Sequence, residues 1–138
     1  VSVDQETIAR IDNGLCVLVG VATDDDVNDV NYIAAKLAGL RVFEDTLGKM
    51  NLDVRSVAGH VLLVSQFTLF GDIRRGNRPS FTSAGAPDVA RLLYEQLADT
   101  LRKTHGLPVH TGQFQAHMEV ELINDGPVTI LIDSRKLF

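Results

Sequence analysis

Tryptophan is absent from the 138 residues, and cysteine occurs once. A lone Cys16 excludes an internal disulfide and suits a reducing, cytoplasmic setting. Set among Leu15, Val17 and Leu18, it reads as a small buried hydrophobe. No apolar run approaches the roughly 20 residues that cross a bilayer, and no secretory leader is expected, so no membrane partner is expected. Positive charge is also short: 13 Lys and Arg face 18 Asp and Glu, a net charge of −5. That balance excludes a general basic footprint for nucleic acid. The histidines, His60, His105, His110 and His117, form no tight pair with metal-ligand spacing. No Gly-rich loop joins a strand to a helix as a phosphate cradle does. Neither a metal nor any other cofactor is expected.

What is present is one domain's worth of periodic segments, with no repeat, low-complexity tract or linker. Val1 to Ile11 reads as a short hairpin turning at Asp4-Gln5. Asn13-Gly14 turns the chain into a central strand, Leu15 to Val21, in which Gly20 signals a bulge or a close backbone approach. Thr23 or one of the Asp24, Asp25, Asp26 cluster caps a helix to about Ala38, with Val27, Val30, Ile33, Ala34 and Leu37 on one face. Leu40 to Phe43 fits a short strand, and Glu44 to Asn51 a connection. His60 to Val64 has the composition of a buried strand. Pro87 opens the longest helix, to about His105, with Val89, Leu92, Leu93, Leu97 and Leu101 in its expected buried stripe. Val109 to Gln115 is irregular or a short strand. His117 to Ile123 and Val128 to Ile132 alternate as strands around the turn Asn124-Asp125-Gly126-Pro127. The sum is an α+β fold. Mostly antiparallel or mixed sheets form a barrel-like or sandwich core, with two main helices packed outside.

Two places are too polar for their surroundings. The apolar strand His60 to Val64 ends in Ser65-Gln66-Phe67-Thr68, and a buried hydroxyl or amide without a partner costs about 1–3 kcal/mol. These groups meet either water and loop backbone or a ligand. Ser65 and Thr68 are the candidate hydroxyl nucleophiles, yet no histidine or carboxylate lies near them in sequence to act as base. The second place is Gly126-Pro127, where proline disturbs a simple hairpin turn by removing a donor. Between them, Gly71 to Ser80 carries Arg74, Arg75 and Arg78 against Asp72, a local net charge of +2. Such a loop is either solvated surface or a local phosphate contact.

Ser65-Gln66-Phe67-Thr68-Leu69 and Asn124-Asp125-Gly126-Pro127-Val128-Thr129 resemble the two signature motifs of the D-aminoacyl-tRNA deacylase family. Leu40-Arg41-Val42-Phe43-Glu44-Asp45, Gly48-Lys49-Met50-Asn51, Arg78-Pro79-Ser80-Phe81 and Thr111-Gly112-Gln113-Phe114 match in order along essentially the whole chain. Two departures stand out. Family members begin about ten residues earlier with a first strand that is missing here. Gln115 also stands where the family commonly has Gly.

The resemblance implies an esterase that hydrolyses D-aminoacyl-tRNA, and glycine mischarged on tRNA-Ala, while sparing L-aminoacyl-tRNA. It implies a homodimer in which a cis Gly126-Pro127 of one subunit enters the partner's pocket at Ser65, Gln66, Phe67 and Thr68. The Gly-Pro carbonyls would hold the substrate ammonium, leaving an L side chain no room. Met118 and Phe81 become candidates for pocket lining, and Arg74, Arg75 and Arg78 for tRNA phosphates. Water positioned at backbone N–H donors is favoured over an acyl-Thr68 intermediate. The alternatives are a catalytically silent binder of tRNA or D-amino acids, and a structural dimerisation domain.

Overall fold

A computed structural model describes all residues, 1–138. The chain opens with a hairpin, β1 (Ser2–Val3) and β2 (Glu6–Thr7), turning at Asp4 and Gln5, which both have positive φ. Strand β3 (Gly14–Val19) leads to helix α1 (Val27–Gly39). Asp26 caps that helix: its Oδ1 accepts from Asn28 N–H at 2.8 Å, and Asp29 Oδ2 accepts from Asp26 N–H at 2.9 Å, a reciprocal capping box. A hairpin follows, β4 (Phe43–Glu44) with β5 (Met50–Leu52). The stretch expected as a bare connection therefore contains a strand. Asp45 organises its turn, with Oδ1 accepting from Leu47 N–H and Lys49 N–H.

Strand β6 (His60–Ser65) runs as expected, followed by a 3-10 turn, Phe67–Phe70. Helix α2 (Pro87–Lys103) begins with Pro87 in its first turn. It ends near Gly106 (φ +65°), where Leu107 N–H returns to the Leu101 carbonyl at 3.0 Å. Strand β7 (Val109–Thr111) completes the regular elements.

The main sheet corrects the expected architecture. It has three strands in the order β3-β6-β7, parallel throughout, with β1-β2 and β4-β5 as separate antiparallel pairs and no barrel closure. The reason is connectivity. Each link between parallel strands is a crossover carrying one helix, α1 before β6 and α2 before β7. The fold remains α+β, but β6 is central and β3, expected in the middle, is an edge.

Helices α1 and α2 cover one face of the sheet. Val61 and Leu63 of β6 and Val109 of β7 meet Ala34, Leu37, Leu97 and Leu101 there. Leu62 and Val64 point the other way, against Val1 and Ala9, with Met118 and Val120 packed beside them. Burial on both faces explains why β6 lacks alternation. On β3 the same second face carries Cys16 and Leu18, both exposed. Cys16 is thus not buried, because nothing in this chain covers that end of the sheet.

The two C-terminal strands expected from alternation do not form. After a single antiparallel bridge, Ser2 to Glu119, residues 121–132 join no ladder and bend at Asp125-Gly126. Alternation marks an amphipathic segment, but a strand also needs a neighbour to pair with, and this segment pairs with no strand of the chain. Ile123 is left 93% exposed and Leu131 70% exposed. Beyond them the tail returns to α1, where Arg135 reaches Asp24 at 2.6 Å and Asp25 at 3.0 Å.

Candidate active site

The site begins where β6 outruns its neighbour. Even-numbered residues of β6 bond towards β3: His60 N–H gives to Asn13 O at 3.0 Å and Gln66 N–H to Val19 O at 2.8 Å. Odd-numbered residues bond towards β7: Val61 N–H gives to Pro108 O at 2.9 Å, and Leu63 O accepts from Gly112 N–H at 3.1 Å. The next rung would join Ser65 N–H to Gly112 O, and it is not made. The strands part there. Ser65 N–H on the parted side, and Phe67 N–H and Thr68 N–H at the start of the 3-10 turn, all lack an acceptor in the chain. Backbone donors left open at a strand end are the raw material of an oxyanion site.

The side chains of the tip frame these donors. Ser65 and Gln66 are half-buried, while Phe67 and Thr68 are exposed. Gln66 Nε2 donates to Thr68 Oγ1. That hydroxyl has no hydrogen bond to a histidine or carboxylate, and an amide cannot accept its proton. Thr68 is therefore not activated as a nucleophile within this chain. Phe67 meets Phe81 edge to face, with ring centres 5.1 Å apart, so these two expected site residues come together. Gly20, expected to permit a close approach, does so: a Cβ there would sit 2.8 Å from Phe70 Cε2.

Met118 packs beside Leu62 and Val64, and a Cβ on Gly112 would come within 2.6 Å of its sulfur. It therefore lies below the tip, against the start of the turn that follows β7. That turn runs Gln113 to Ala116, closed by Ala116 N–H to Gln113 O at 3.1 Å, with Gln115 at φ +64°.

The Asn124–Thr129 segment is braced from within. Asn124 Oδ1 accepts from Val128 N–H at 2.8 Å, and its Nδ2 donates to Thr129 Oγ1 at 3.1 Å. The Gly126–Pro127 bond is cis. Gly126 has φ +145°, and a Cβ there would stand 2.7 Å from Val128 Cγ2. Both Gly126 and Pro127 are exposed, and no hydrogen bond ties them to Ser65–Thr68 of the same chain.

The three arginines differ. Asp72 and Ser80 pair as the base of a small loop. Within it Asp72 grips Arg74 with two bonds, from Nε at 2.9 Å and from NH2 at 2.7 Å. That grip holds the Asp72 carboxyl well below its usual range, at about 2. Arg75 and Arg78 are exposed and have no carboxylate partner. Sequence reasoning treated the three alike and overlooked the Asp72 pairing. It also overlooked His60 and His110, whose Nδ1 and Nε2 lie 3.1 Å apart on adjacent strands. Their rings are within 5° of parallel with centres 5.2 Å apart. So long a centre separation at so short an N–N distance describes an end-to-end hydrogen bond, not a stack. No group of three or more metal-ligating side chains is assembled.

Comparison with known proteins adds the family context. Residues 1–133 match the sequence model of a family described as D-Tyr-tRNA(Tyr) deacylase. The chain is 56% identical over 138 residues to a D-aminoacyl-tRNA deacylase of Thermotoga petrophila, covering all of this chain and 92% of that one. It is also 56% identical over 138 residues to one from Anaeromyxobacter dehalogenans, with the same coverage. Among solved structures it resembles one described as a c-Myc DNA unwinding element binding protein, with a TM-score of 0.87 and 39% identity. That match covers 94% of this chain and 87% of the other. A probable eukaryotic D-amino acid tRNA deacylase shares the fold, with a TM-score of 0.66 at 17% identity over 75% of this chain and 76% of the other.

Proposed function

The chain belongs to the D-aminoacyl-tRNA deacylase family and is a hydrolase of D-aminoacyl-tRNA; from that premise we propose how its residues carry out the reaction. The ester carbonyl of the substrate enters the gap between β6 and the turn after β7. There the N–H groups of Ser65, Phe67 and Thr68 receive the oxygen as it gains negative charge. What supports this reading is that these three donors lack acceptors while the nearby Thr68 hydroxyl lacks a base. Water is the nucleophile. It attacks the carbonyl carbon, the tetrahedral intermediate collapses, and the bond to the ribose oxygen breaks as that oxygen takes up the proton given up by the water, releasing free D-amino acid and tRNA. An aminoacyl ester is already labile, so holding it still beside water supplies much of the rate.

Chirality is read by main chain. Gly126 and Pro127 accept the substrate ammonium on their carbonyl oxygens. With the amine and the ester carbonyl both held, a D side chain points outward and an L side chain runs into the Gly-Pro backbone. Glycine, lacking a side chain, passes the same test, so glycyl-tRNA is a further substrate; that it is glycine mischarged on tRNA-Ala is what the family resemblance implies. The Gly-Pro segment acts on the tip of a second subunit. Leu122, Ile123, Ile130 and Leu131 flank it with exposed apolar surface, and the β3 edge presents Cys16 and Leu18. A homodimer covers such surfaces. Phe81 and Met118 line the approach, and Arg75 and Arg78 meet tRNA phosphates.

The test is Thr68→Ala assayed on D-Tyr-tRNA under single-turnover conditions. At least a tenth of the wild-type rate is expected to remain. Loss of more than a thousandfold, or capture of an acyl group on Thr68, would replace water with a covalent mechanism. Complete absence of turnover by the wild-type protein would favour the silent binding module.

A further inference from the structure

Leu63 is the last residue of β6 bonded to β7, and its carbonyl takes two donors. Gly112 N–H reaches it at 3.1 Å and the Tyr94 hydroxyl at 2.6 Å. Tyr94 comes from α2, is only 4% exposed, and lies against Phe114, with ring centres 6.0 Å apart. Arg91, one turn earlier, lies 5.1 Å over the same Phe114 ring. One helix thus holds both branches of the fork, β6 through Leu63 and the turn after β7 through Phe114. Two residues beyond Leu63 stands Ser65 N–H, the first of the open donors.

We infer that Tyr94 is a positioning residue for the hydrolysis: its hydroxyl pins the point where β6 and β7 part and so keeps the Ser65 N–H group free for substrate. Without the pin the ladder has an easy alternative. Gly112 can draw in towards β6 in the existing register, and Ser65 N–H can close onto Gly112 O, making the missing rung. The donor would then be spent inside the sheet. The pin is a permanent one, since burial raises the Tyr94 phenol to about 12 and keeps its proton in place. No motif marks this tyrosine, because its partner is a backbone carbonyl.

The inference rests on the placement of the substrate carbonyl proposed above, and one set of measurements separates the two. Tyr94→Phe keeps the ring against Phe114 and removes only the hydroxyl. With D-Tyr-tRNA, kcat is expected to fall about tenfold with KM within threefold of wild type. Rates are normalised to folded sites titrated with a non-hydrolysable D-tyrosyl-amide analogue of the 3′-terminal adenosine. Amide hydrogen exchange supplies a readout that a loss of stability alone would not move: Ser65 N–H should become more protected in the variant while its neighbours become less so. Wild-type kcat, or a Ser65 amide that exchanges as fast as before, would overturn the role of Tyr94. If the analogue leaves the wild-type Ser65, Phe67 and Thr68 amide resonances unmoved, it is the site that is misplaced.

Discussion

Replacing Gln115 by glycine should make the protein more stable, against the usual direction of such a change. Gln115 sits third in the turn Gln113 to Ala116 with φ +64°, a position where a Cβ is strained and glycine is not. Holding an L residue there costs roughly 1–2 kcal/mol. Glycine loses more chain entropy on folding, which offsets about 0.5–1 kcal/mol of that relief. The Gln115 side chain is exposed and makes no hydrogen bond, so nothing else is lost with it. The net gain is about 0.5–1 kcal/mol, which for a chain of this size raises Tm by about 2–4 °C. Thermal denaturation followed by circular dichroism reads it directly. Gln113→Gly, two residues earlier at negative φ, is the control and should lower Tm. A lower Tm for Gln115→Gly would refute the assignment of strain to this turn.

Binding of uncharged tRNA across a salt series should separate the arginines. Arg75→Ala and Arg78→Ala each reduce the slope of log K against log salt by about one. Arg74→Ala, whose charge Asp72 already answers, changes it less; the largest effect at Arg74 would reverse the assignment. At alkaline pH, Tyr94 works against the fold. Its folded-state pKa of about 12 exceeds the unfolded value of about 10, so its contribution is whole below pH 10 and disappears as pH rises through 12. The whole loss amounts to about 2–3 kcal/mol, of which about half falls between pH 9 and pH 11. Urea denaturation at pH 9 and 11 should show that extra decline in wild type and not in Tyr94→Phe; equal declines would place the phenol in water.

Much of the fold was legible because burial writes a period into the chain. Helix α2 announces itself by Pro87 and a leucine stripe, α1 by an aspartate cap, and β6 by an unbroken apolar run. Which strand lies in the centre was not legible. Leu15 to Val21 is as apolar as β6, and only the pairing shows that Cys16 and Leu18 face an uncovered side. His117 to Ile123 misled for a related reason, since alternation reports two unlike faces and says nothing of a neighbouring edge. At the site, the excess of polar groups in Ser65 to Thr68 and the special backbone of Gly126-Pro127 could be read directly. The open N–H donors could not, because every residue but proline has one. Their availability depends on where β7 turns away, a property of two strands and of the tyrosine between them.

Hydrolysis of D- and L-Tyr-tRNA, side by side, by Gly126→Ala decides whether the Gly-Pro main chain reads handedness. A Cβ at φ +145° would stand 2.7 Å from Val128 Cγ2, so the Gly-Pro main chain must move. If that main chain excludes the L substrate, the ratio of D to L rates should fall at least tenfold, with L-Tyr-tRNA now cleaved measurably. An unchanged ratio, with both rates merely lowered together, would mean that handedness is sensed elsewhere in the molecule.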